Sequence, residues 1–448
     1  MDYSTFKEAV IAFCKEQGIT EYELYYQTEE STAVKVFAHE VNQFTGSVEG
    51  GICFRCIVDG KMGYASTEEL SLSQAHSVVL RAVDNARCLE TVDAVFLGEG
   101  GQQYETLNRQ LYELPTTEEL VQAALQTQQK LYDADPAVID GTTTQSLCER
   151  KEIAICNSKG LDLYYVNHIA GIVVSAMVQQ GEEKASEAEA ALGALPTLDT
   201  DALTAKAVAG AKKKLGGEPA PTGVYPVVFS PEAMSLMLGA FAGIFSASAA
   251  QKGLSKLADA EGTAIASEVV TIIDDPFHPE NPSPIPFDAE GSPTHRKAVV
   301  EKGVLNTLFH NLKTAHKAGV VTTGNAAKAG FNGAVGVCPF TMYIAPGTVT
   351  EDALLRQAEN GVYIDFVTGL HAGANGITGD FSLQSAGYLI ENGKKTTRVR
   401  SFTVAGNFYD LLKNITAVSD CMILPSPVGK TTFGSPCVLV NNLSIAGK

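Results

Sequence analysis

Apolar residues near the start of the chain have the spacing of a helix, and the residues that follow alternate between apolar and polar as in strands. Apolar side chains recur every three to four positions over residues 3–17, which predicts an amphipathic helix. The stretches YELYYQ, TAVKVFAHEVN, GGICFRCIVDG and KMGYAST then alternate as strands do, and residues 68–88 return to a helical period. Because short connections between consecutive strands make antiparallel hairpins, this order indicates an α+β fold.

The same order of elements follows a second time. Residues 116–133 have a helical pattern, residues 146–179 supply three strands with turns near 157–160 and 167, and residues 199–215 are helical again. We interpret the two rounds as a loose internal duplication.

A segment rich in Gly and Pro, GGEPAPTGVYP at 216–226, separates these rounds from the rest of the chain. Such residues interrupt regular structure, so we predict a linker there. The prediction is an N-terminal domain over 1–215, with antiparallel sheets and helices, and a β-rich C-terminal domain over 227–448. Short helices are expected in the second domain at 312–318, 351–360 and 407–415.

The composition of the 448 residues excludes several classes of protein. Hydrophobic residues make up 45% and charged residues 19%, which is the composition of a folded chain. The 33 Lys and Arg against 51 Asp and Glu leave a net charge of -18, which disfavours nucleic acids and anionic membranes as partners. The first residues lack the pattern of a signal peptide, so we expect a cytoplasmic protein. Nine cysteines in so long a chain indicate free thiols.

Two apolar features resemble functional motifs and have simpler explanations. Cys53 and Cys56 form a C-x-x-C, yet residues three apart on a strand point to opposite faces, so a structural role is favoured. Residues 231–250 have a single charge and are just long enough to span a bilayer. Ala, Ser and Gly dilute the hydropathy, however, and Gly239 and Gly243 allow close packing in a soluble core. We therefore predict a buried helix.

Two acidic clusters are candidates for chemistry: Asp274 with Asp275, and Asp288 with Glu290. Paired carboxylates can act as general acid and base or hold hard metal ions. They also end strands and cap turns, and the spacing alone leaves both interpretations open.

Several long motifs resemble one family. VVTIIDDP is followed by PFDAEGSPTHRKAVVEKGVLNTLFHNLKTAHKAG and TTGNA, with GGICFRCIVDGKMGYAST before them. After them come GITGDFSLQSAGYLIENGKKTTRVRSFTVAGNFYDLLKNI and GSPCVLVNNLSIAG. In this order they resemble the TldD/PmbA family, metalloproteases also called modulators of DNA gyrase. The resemblance implies a cytosolic two-domain protein acting in intracellular proteolysis or peptide maturation.

The family contains two kinds of subunit. One carries H-E-x-x-x-H on the helix that opens the second domain, where two histidines and a later cysteine bind zinc. The other, PmbA-like or TldE-like, lacks this motif and pairs with the first. Here residues 229–254 contain no histidine, and Cys421 alone cannot hold a tetrahedral zinc. The resemblance thus implies a subunit with no catalytic residue and no metal of its own, and with zinc in the partner.

Such a subunit would help to form a groove for an extended peptide. The resemblance places Asp288, Glu290, Gly291, Gly379 and Asp380 in the turns that would shape this groove or contact the partner. We expect a homodimer in isolation, associating through the second domain, and a heterodimer with a zinc-bearing TldD-like subunit. The alternatives are a metal-free homodimer that binds peptides or acts as a scaffold, and an enzyme using Asp274, Asp275, Asp288 and Glu290 with a metal.

Overall fold

The protein folds into two compact units. The structure is a computed structural model that describes residues 1–90, 94–107, 111–425 and 431–448. The first unit contains Met1–Leu215, Ile285–Thr294 and Ala326–Gly336, and the second contains Gly216–Pro284, His295–Asn325 and Val337–Lys448. Two segments beyond residue 227 thus fold with the first unit, because they pack on its sheet. Residues 216–226, expected to be a linker, include strand residues of the second unit.

The first unit has two consecutive rounds of helix, three strands and helix. Its elements are α1 (Tyr3–Glu16), β1 (Tyr22–Phe37), β2 (Glu40–Val58), β3 (Lys61–Thr67), α2 (Leu72–Cys88), α3 (Thr117–Ala134), β4 (Thr143–Asn157), β5 (Asp162–Gln180), β6 (Glu183–Leu192) and α4 (Thr200–Lys213), with a 3₁₀ turn at Leu195–Thr197. Side chains of Ser71, Thr116 and Asp199 accept hydrogen bonds from backbone N–H groups at the starts of α2, α3 and α4.

The repeated order of helix, antiparallel strands and helix agrees with the prediction, but the strand limits do not: YELYYQ and TAVKVF form one strand instead of two, Asn167 lies inside a strand and not at a turn, and residues 183–192 form a strand that was not predicted. Residues 28–31 and 183–192 are at least partly exposed, so the apolar alternation that marks a strand is absent there.

One six-stranded sheet runs through both rounds, in the order β3-β2-β1-β4-β5-β6. The central strands β1 and β4 are antiparallel, as are the other neighbours. Helices α1 and α2 pack over one core around Phe6, Leu24 and Phe54. Cys56 belongs to that core and Cys53 to another, so the two thiols occupy opposite faces of β2, as predicted.

The second unit is built on a larger mixed sheet. Its elements are β7 (Glu218–Pro219), β8 (Gly223–Phe229), α5 (Pro231–Phe241), α6 (Ala247–Gln251), β9 (Ile272–Asp274), β10 (Lys297–Glu301), β11 (Val304–Leu305), α7 (Leu312–Ala318), β12 (Ala326–Ala327), β13 (Gly336–Val337), β14 (Thr341–Ile344), α8 (Glu351–Ala358), β15 (Gly361–Thr368), α9 (Leu370–Gly373), β16 (Asp380–Glu391), β17 (Lys394–Asn407), α10 (Phe408–Lys413), β18 (Ile415–Ile423) and β19 (Thr432–Ala446). Of these, β12 and β13 pair only with each other, and β12 lies in the segment that folds with the first unit. The three short helices predicted for this half are α7, α8 and α10.

Five strands of this sheet close on themselves. The pairings run from β19 through β8, β15, β16 and β17 and back to β19. A ring of paired strands removes open edges and encloses apolar side chains. The α+β class predicted from the sequence is confirmed in both units.

The apolar segment 231–250 lies in the core of the second unit. Met234, Met237, Leu238 and Phe241 are fully buried, and the Phe241 ring stacks on Phe408 with centroids 4.5 Å apart. The predicted single helix is interrupted by a 3₁₀ turn at Ala242–Phe245. In the part of the chain that the structure describes, no helix has the length and apolar character needed to cross a membrane.

Candidate functional site

The FDAEG turn of the first unit is held by the carboxylate of Asp288. One oxygen, Oδ1, accepts hydrogen bonds from the backbone N–H groups of Glu290, at 2.9 Å, and Ser292, at 3.0 Å. The other, Oδ2, accepts one from the backbone N–H of Ala326, at 2.9 Å. Asp288 therefore closes its own turn and joins it to the start of the 326–336 segment.

Burial changes the proton affinity of Asp288. The residue is 1% exposed. Burial, followed by the nearby Glu290 carboxylate, raises the pKa of Asp288 to about 7, against the effect of the three N–H donors. This carboxyl group holds its proton up to near neutrality.

Glu290 and Gly291 face a buried ion cluster and a tyrosine. Arg55 on β2 lies with Nη2 2.7 Å from Glu23 Oε1 and Nη1 3.9 Å from Glu290 Oε1. Burial by itself would lower the pKa of Arg55, and the two carboxylates raise it above its ordinary value. Gly291 has a φ of +78°, and its carbonyl accepts a hydrogen bond from the Tyr104 hydroxyl at 2.8 Å.

Lys328, from the other inserted segment, completes this cluster. Its ammonium lies 4.3 Å from the centroid of the Tyr25 ring, in a cation–π arrangement. Burial, with help from Arg55, lowers the pKa of Lys328. The cluster thus fixes both inserted segments on strands β1 and β2, and a role of Asp288, Glu290 and Gly291 toward substrate or partner stays a prediction.

Glu23 and Arg55 were not among the site residues predicted from the sequence. Both lie on strands whose other inward positions are mostly apolar, YELYYQ and GGICFRCIV. A charged residue at a buried strand position is usually paired with an opposite charge. The charges at Glu23 and Arg55, within these strand patterns, were therefore the signal that could have identified the pair.

The remaining predicted site residues, Gly379 and Asp380, lie in the second unit at the start of β16. Gly379 has a φ of +83°, and its backbone oxygen accepts a hydrogen bond from the Phe408 N–H at 2.7 Å. Asp380 is exposed, and its Oδ1 accepts a hydrogen bond from Asn407 Nδ2 at 2.8 Å. Hydrogen bonds from Asn407 and Thr378 lower the pKa of Asp380. Asp380 therefore stays ionised at neutral pH and lies on the surface.

The two acids of VVTIIDDP hold local structure. Asp275 Oδ1 accepts a hydrogen bond from the backbone N–H of Phe277, at 3.1 Å. Asp274 is fully buried, and its carboxylate accepts hydrogen bonds from the backbone N–H groups of Phe340 and Thr341 and from Asn325 Nδ2, all at 2.9 to 3.0 Å. Lys297 Nζ lies 3.2 Å from Asp274 Oδ2. Asp274, on β9, thus links this strand to β10 through Lys297 and to β14 through Thr341.

The helix where the sequence resemblance expects a zinc motif offers no donor set for zinc. Helix α5 begins after the N-cap residue Ser230, and its one ionisable side chain is the exposed Glu232. Cys421 on β18 is an exposed free thiol. Across the described residues, no group of three or more His, Cys, Asp or Glu side chains is placed to hold a metal ion. The residues present on this helix therefore do not fit zinc.

The two-unit α+β fold is shared with known proteins, and the comparisons give its family. Residues 222–447 match the PmbA/TldA metallopeptidase C-terminal domain, residues 22–87 match domain 1, and residues 112–215 match the central domain. The chain belongs to the PmbA/TldD family of metallopeptidases.

Relatives along most of the chain agree with this. A metalloprotease PmbA homolog from Haemophilus influenzae is 26% identical over 398 residues, which cover 87% of this chain and 85% of the relative. A solved structure from Thermotoga maritima, described as a modulator of a DNA gyrase, is 29% identical, covers 99% of this chain and all of its own, and has a TM-score of 0.89. TldE from Thermococcus kodakarensis, 22% identical with a TM-score of 0.87, covers 99% of this chain and 100% of its own and shares the fold.

Proposed function

We propose that this chain is the subunit without zinc ligands in a cytoplasmic metallopeptidase complex of the PmbA/TldD type. The observation that carries the proposal is the composition of the helix opening the second unit, since residues 229–254 contain no histidine. A catalytic zinc needs three protein ligands besides its water. Hydrolysis would then take place on zinc held by a TldD-like partner with H-E-x-x-x-H.

The contribution of this chain is the binding of substrate. An extended peptide is recognised by its main chain, through donors and acceptors placed along a groove. Asp380 suits this role, because it is ionised, exposed and held in place by Asn407. Asp288 and Glu290 would act indirectly, by keeping the FDAEG turn in position.

Co-purification and a cleavage assay test the proposal. The chain is expressed alone and together with an H-E-x-x-x-H relative, and peptide hydrolysis is measured for each subunit and for the mixture. We expect no activity from this chain, a homodimer by light scattering, and a heterodimer with peptidase activity on mixing. A monomer of 47.4 kDa that forms no complex and does not change the relative's activity would contradict the proposal.

A matched pair of variants shows which subunit performs the chemistry. Glu232→Gln in this chain should leave the activity of the mixture unchanged, whereas the corresponding change of the partner's motif glutamate should abolish it. Loss of activity with Glu232→Gln in a correctly folded complex would place catalysis on this chain instead.

A further inference from the structure

Half of strand β2 has an open edge. Along one side, β2 pairs with β1 from Glu40 to Cys56. On the other side β3 pairs only with Ile52–Val58, and among the described residues no strand pairs with positions 40–51. An open strand edge presents unpaired N–H and C=O groups, and folded proteins usually cover or charge such edges.

The side chains of this half-strand alternate between an apolar and a polar face. Phe44 and Val48 lie on one face and are 55% and 76% exposed. Phe44 is directly opposite Val34 of β1, which is fully buried in a cluster with Leu120 of α3. Gln43, Thr45, Ser47 and Glu49 occupy the other face. This alternation is typical of a strand with one covered face, yet within the described part of the chain Phe44 and Val48 remain exposed.

The duplicated half of the same sheet shows how such an edge is closed. Strand β5 corresponds to β2, and β6 pairs only with its later part, from Gly171. At the open part, the N–H of Ala170 donates to the Tyr112 hydroxyl at 2.7 Å, and its carbonyl accepts from the N–H of Gly193 at 2.8 Å. The chain therefore satisfies the outward backbone groups of β5 at Ala170 itself, whereas among the described residues no strand pairs with the equivalent edge of β2.

In β2, the backbone N–H and C=O groups of the even-numbered residues point away from β1. The N–H of Ile57 donates to the Glu21 carbonyl, on the β1 side, at 2.9 Å. The β1–β2 register is regular from Gln43 to Cys56, so odd-numbered residues bond to β1 and even-numbered residues face the open edge. Phe44, Gly46 and Val48 thus present both their outward backbone groups and the apolar face.

We propose that a second copy of this chain pairs with this edge, antiparallel, with Gly46 on the two-fold axis. This register places Phe44 of each copy opposite Val48 of the other, as aromatic–aliphatic cross-strand pairs. On the polar face, Gln43 meets Glu49 and Thr45 meets Ser47, so no like charges are opposed. The two six-stranded sheets become one sheet of twelve strands.

Neighbouring registers fit less well. Centring the axis on Phe44 brings Val48 opposite the charged Glu40, and centring it on Val48 brings Phe44 opposite Ile52, whose outer side is already paired with β3. Gly46 leaves room on the axis, because a Cβ built there meets only a Phe44 ring atom, at 3.7 Å. This contact lies in the first unit, apart from the association expected through the second domain, so at high concentration it would join two such homodimers.

Cysteine cross-linking tests the register. Across an antiparallel hydrogen-bonded pair the two Gly46 Cα atoms lie about 5.5 Å apart, within disulfide range, whereas the two Gln43 Cα atoms lie roughly 20 Å apart. Gly46→Cys and Gln43→Cys are made in a Cys88→Ser, Cys421→Ser background, since those native thiols are exposed. We expect Gly46→Cys to form covalent dimers at least tenfold faster on mild oxidation. Equal rates, or no cross-link from either, would overturn the proposal.

A charge change gives an independent test. Gln43→Glu places a carboxylate beside Lys35 of its own chain, which the fold accommodates in monomer and dimer alike, and opposite Glu49 of the other copy, which disfavours pairing. Introduced into the Gly46→Cys protein, it should slow cross-linking several-fold, and a further Glu49→Lys should restore it. Circular dichroism verifies that each variant is folded. An unchanged rate with Gln43→Glu would exclude this register.

Discussion

Asp288 shows how burial alters a single carboxyl group. Burial raises the pKa of Asp288 from the ordinary value of 3.8 to about 7. Between these two pH values the folded protein holds a proton that the unfolded chain has lost. A raised folded-state pKa stabilises the fold at low pH, and this contribution is lost as the pH rises through the folded-state pKa.

Asp288→Asn should reveal this titration. The variant loses an acceptor for the Ala326 N–H and is less stable, but it has no proton to release. We expect the gap in unfolding free energy between wild type and variant to shrink by on the order of 2 kcal/mol between about pH 5 and about pH 8. Denaturant titrations at the two pH values measure it, and a gap that widens would contradict the assignment.

The two acids beside Arg55 should differ in importance. Glu23 lies 2.7 Å from the guanidinium and also accepts a hydrogen bond from Asn157 Nδ2, whereas Glu290 lies 3.9 Å away. Breaking a buried pair costs about 3–5 kcal/mol, so Glu23→Gln should approach that loss and Glu290→Gln should cost clearly less. Chemical denaturation of both variants gives the comparison; equal losses would show that Glu290 is an equal partner.

At the scale of elements, close approach of backbones fixes the packing of α2 on the first sheet. Gly63 of β3 faces this helix, and a Cβ built at Gly63 would lie 1.9 Å from the carbonyl oxygen of Ala82 and 2.6 Å from the nitrogen of Ala86. No side chain fits there unless the helix moves.

Gly63→Ala should therefore lower the free energy of unfolding by roughly 1–3 kcal/mol, the usual cost of overpacking. Gly46→Ala, in the same sheet but with open space around it, should stay within about 0.5 kcal/mol of wild type. Thermal or denaturant unfolding compares the two. A Gly63→Ala protein as stable as the control would mean that α2 shifts freely.

For the whole molecule, the absence of histidine from residues 229–254 predicts the metal content. The purified chain should contain no stoichiometric zinc by elemental analysis, because three ligands cannot be assembled around Cys421. One zinc per chain that survives mild chelation, and is lost on mutating Cys421 together with a histidine, would reverse the assignment of this subunit.

The net charge of -18 makes a second prediction at this scale. DNA binding gains free energy when cationic side chains release counterions from phosphates, and this chain has the opposite charge. We expect no measurable affinity for duplex DNA at physiological salt in a fluorescence anisotropy titration. Salt-sensitive binding with a sub-micromolar Kd would contradict this.

Local patterns in the sequence determined the elements of the fold. Helix α7 occupies the predicted residues, and α1 to α4 begin and end within a few residues of theirs, because caps and apolar periods act over a few residues. The order of helix, antiparallel strands and helix, repeated once, was also readable in this way, although the number and limits of the strands were not. So were the opposite faces of Cys53 and Cys56, since alternation on a strand is local.

Only the tertiary structure decided which distant segments meet. The FDAEG turn and residues 326–336 join the first unit although they come after residue 227 in sequence, because Glu290 and Lys328 have partners on β2 and β1 and Asp288 binds Ala326. The burial that raises the pKa of Asp288 depends on this meeting. Contacts between residues more than two hundred positions apart leave no periodic trace in a sequence. The local amino-acid pattern therefore determined the strands, and the three-dimensional packing determined which distant side chains bind to them.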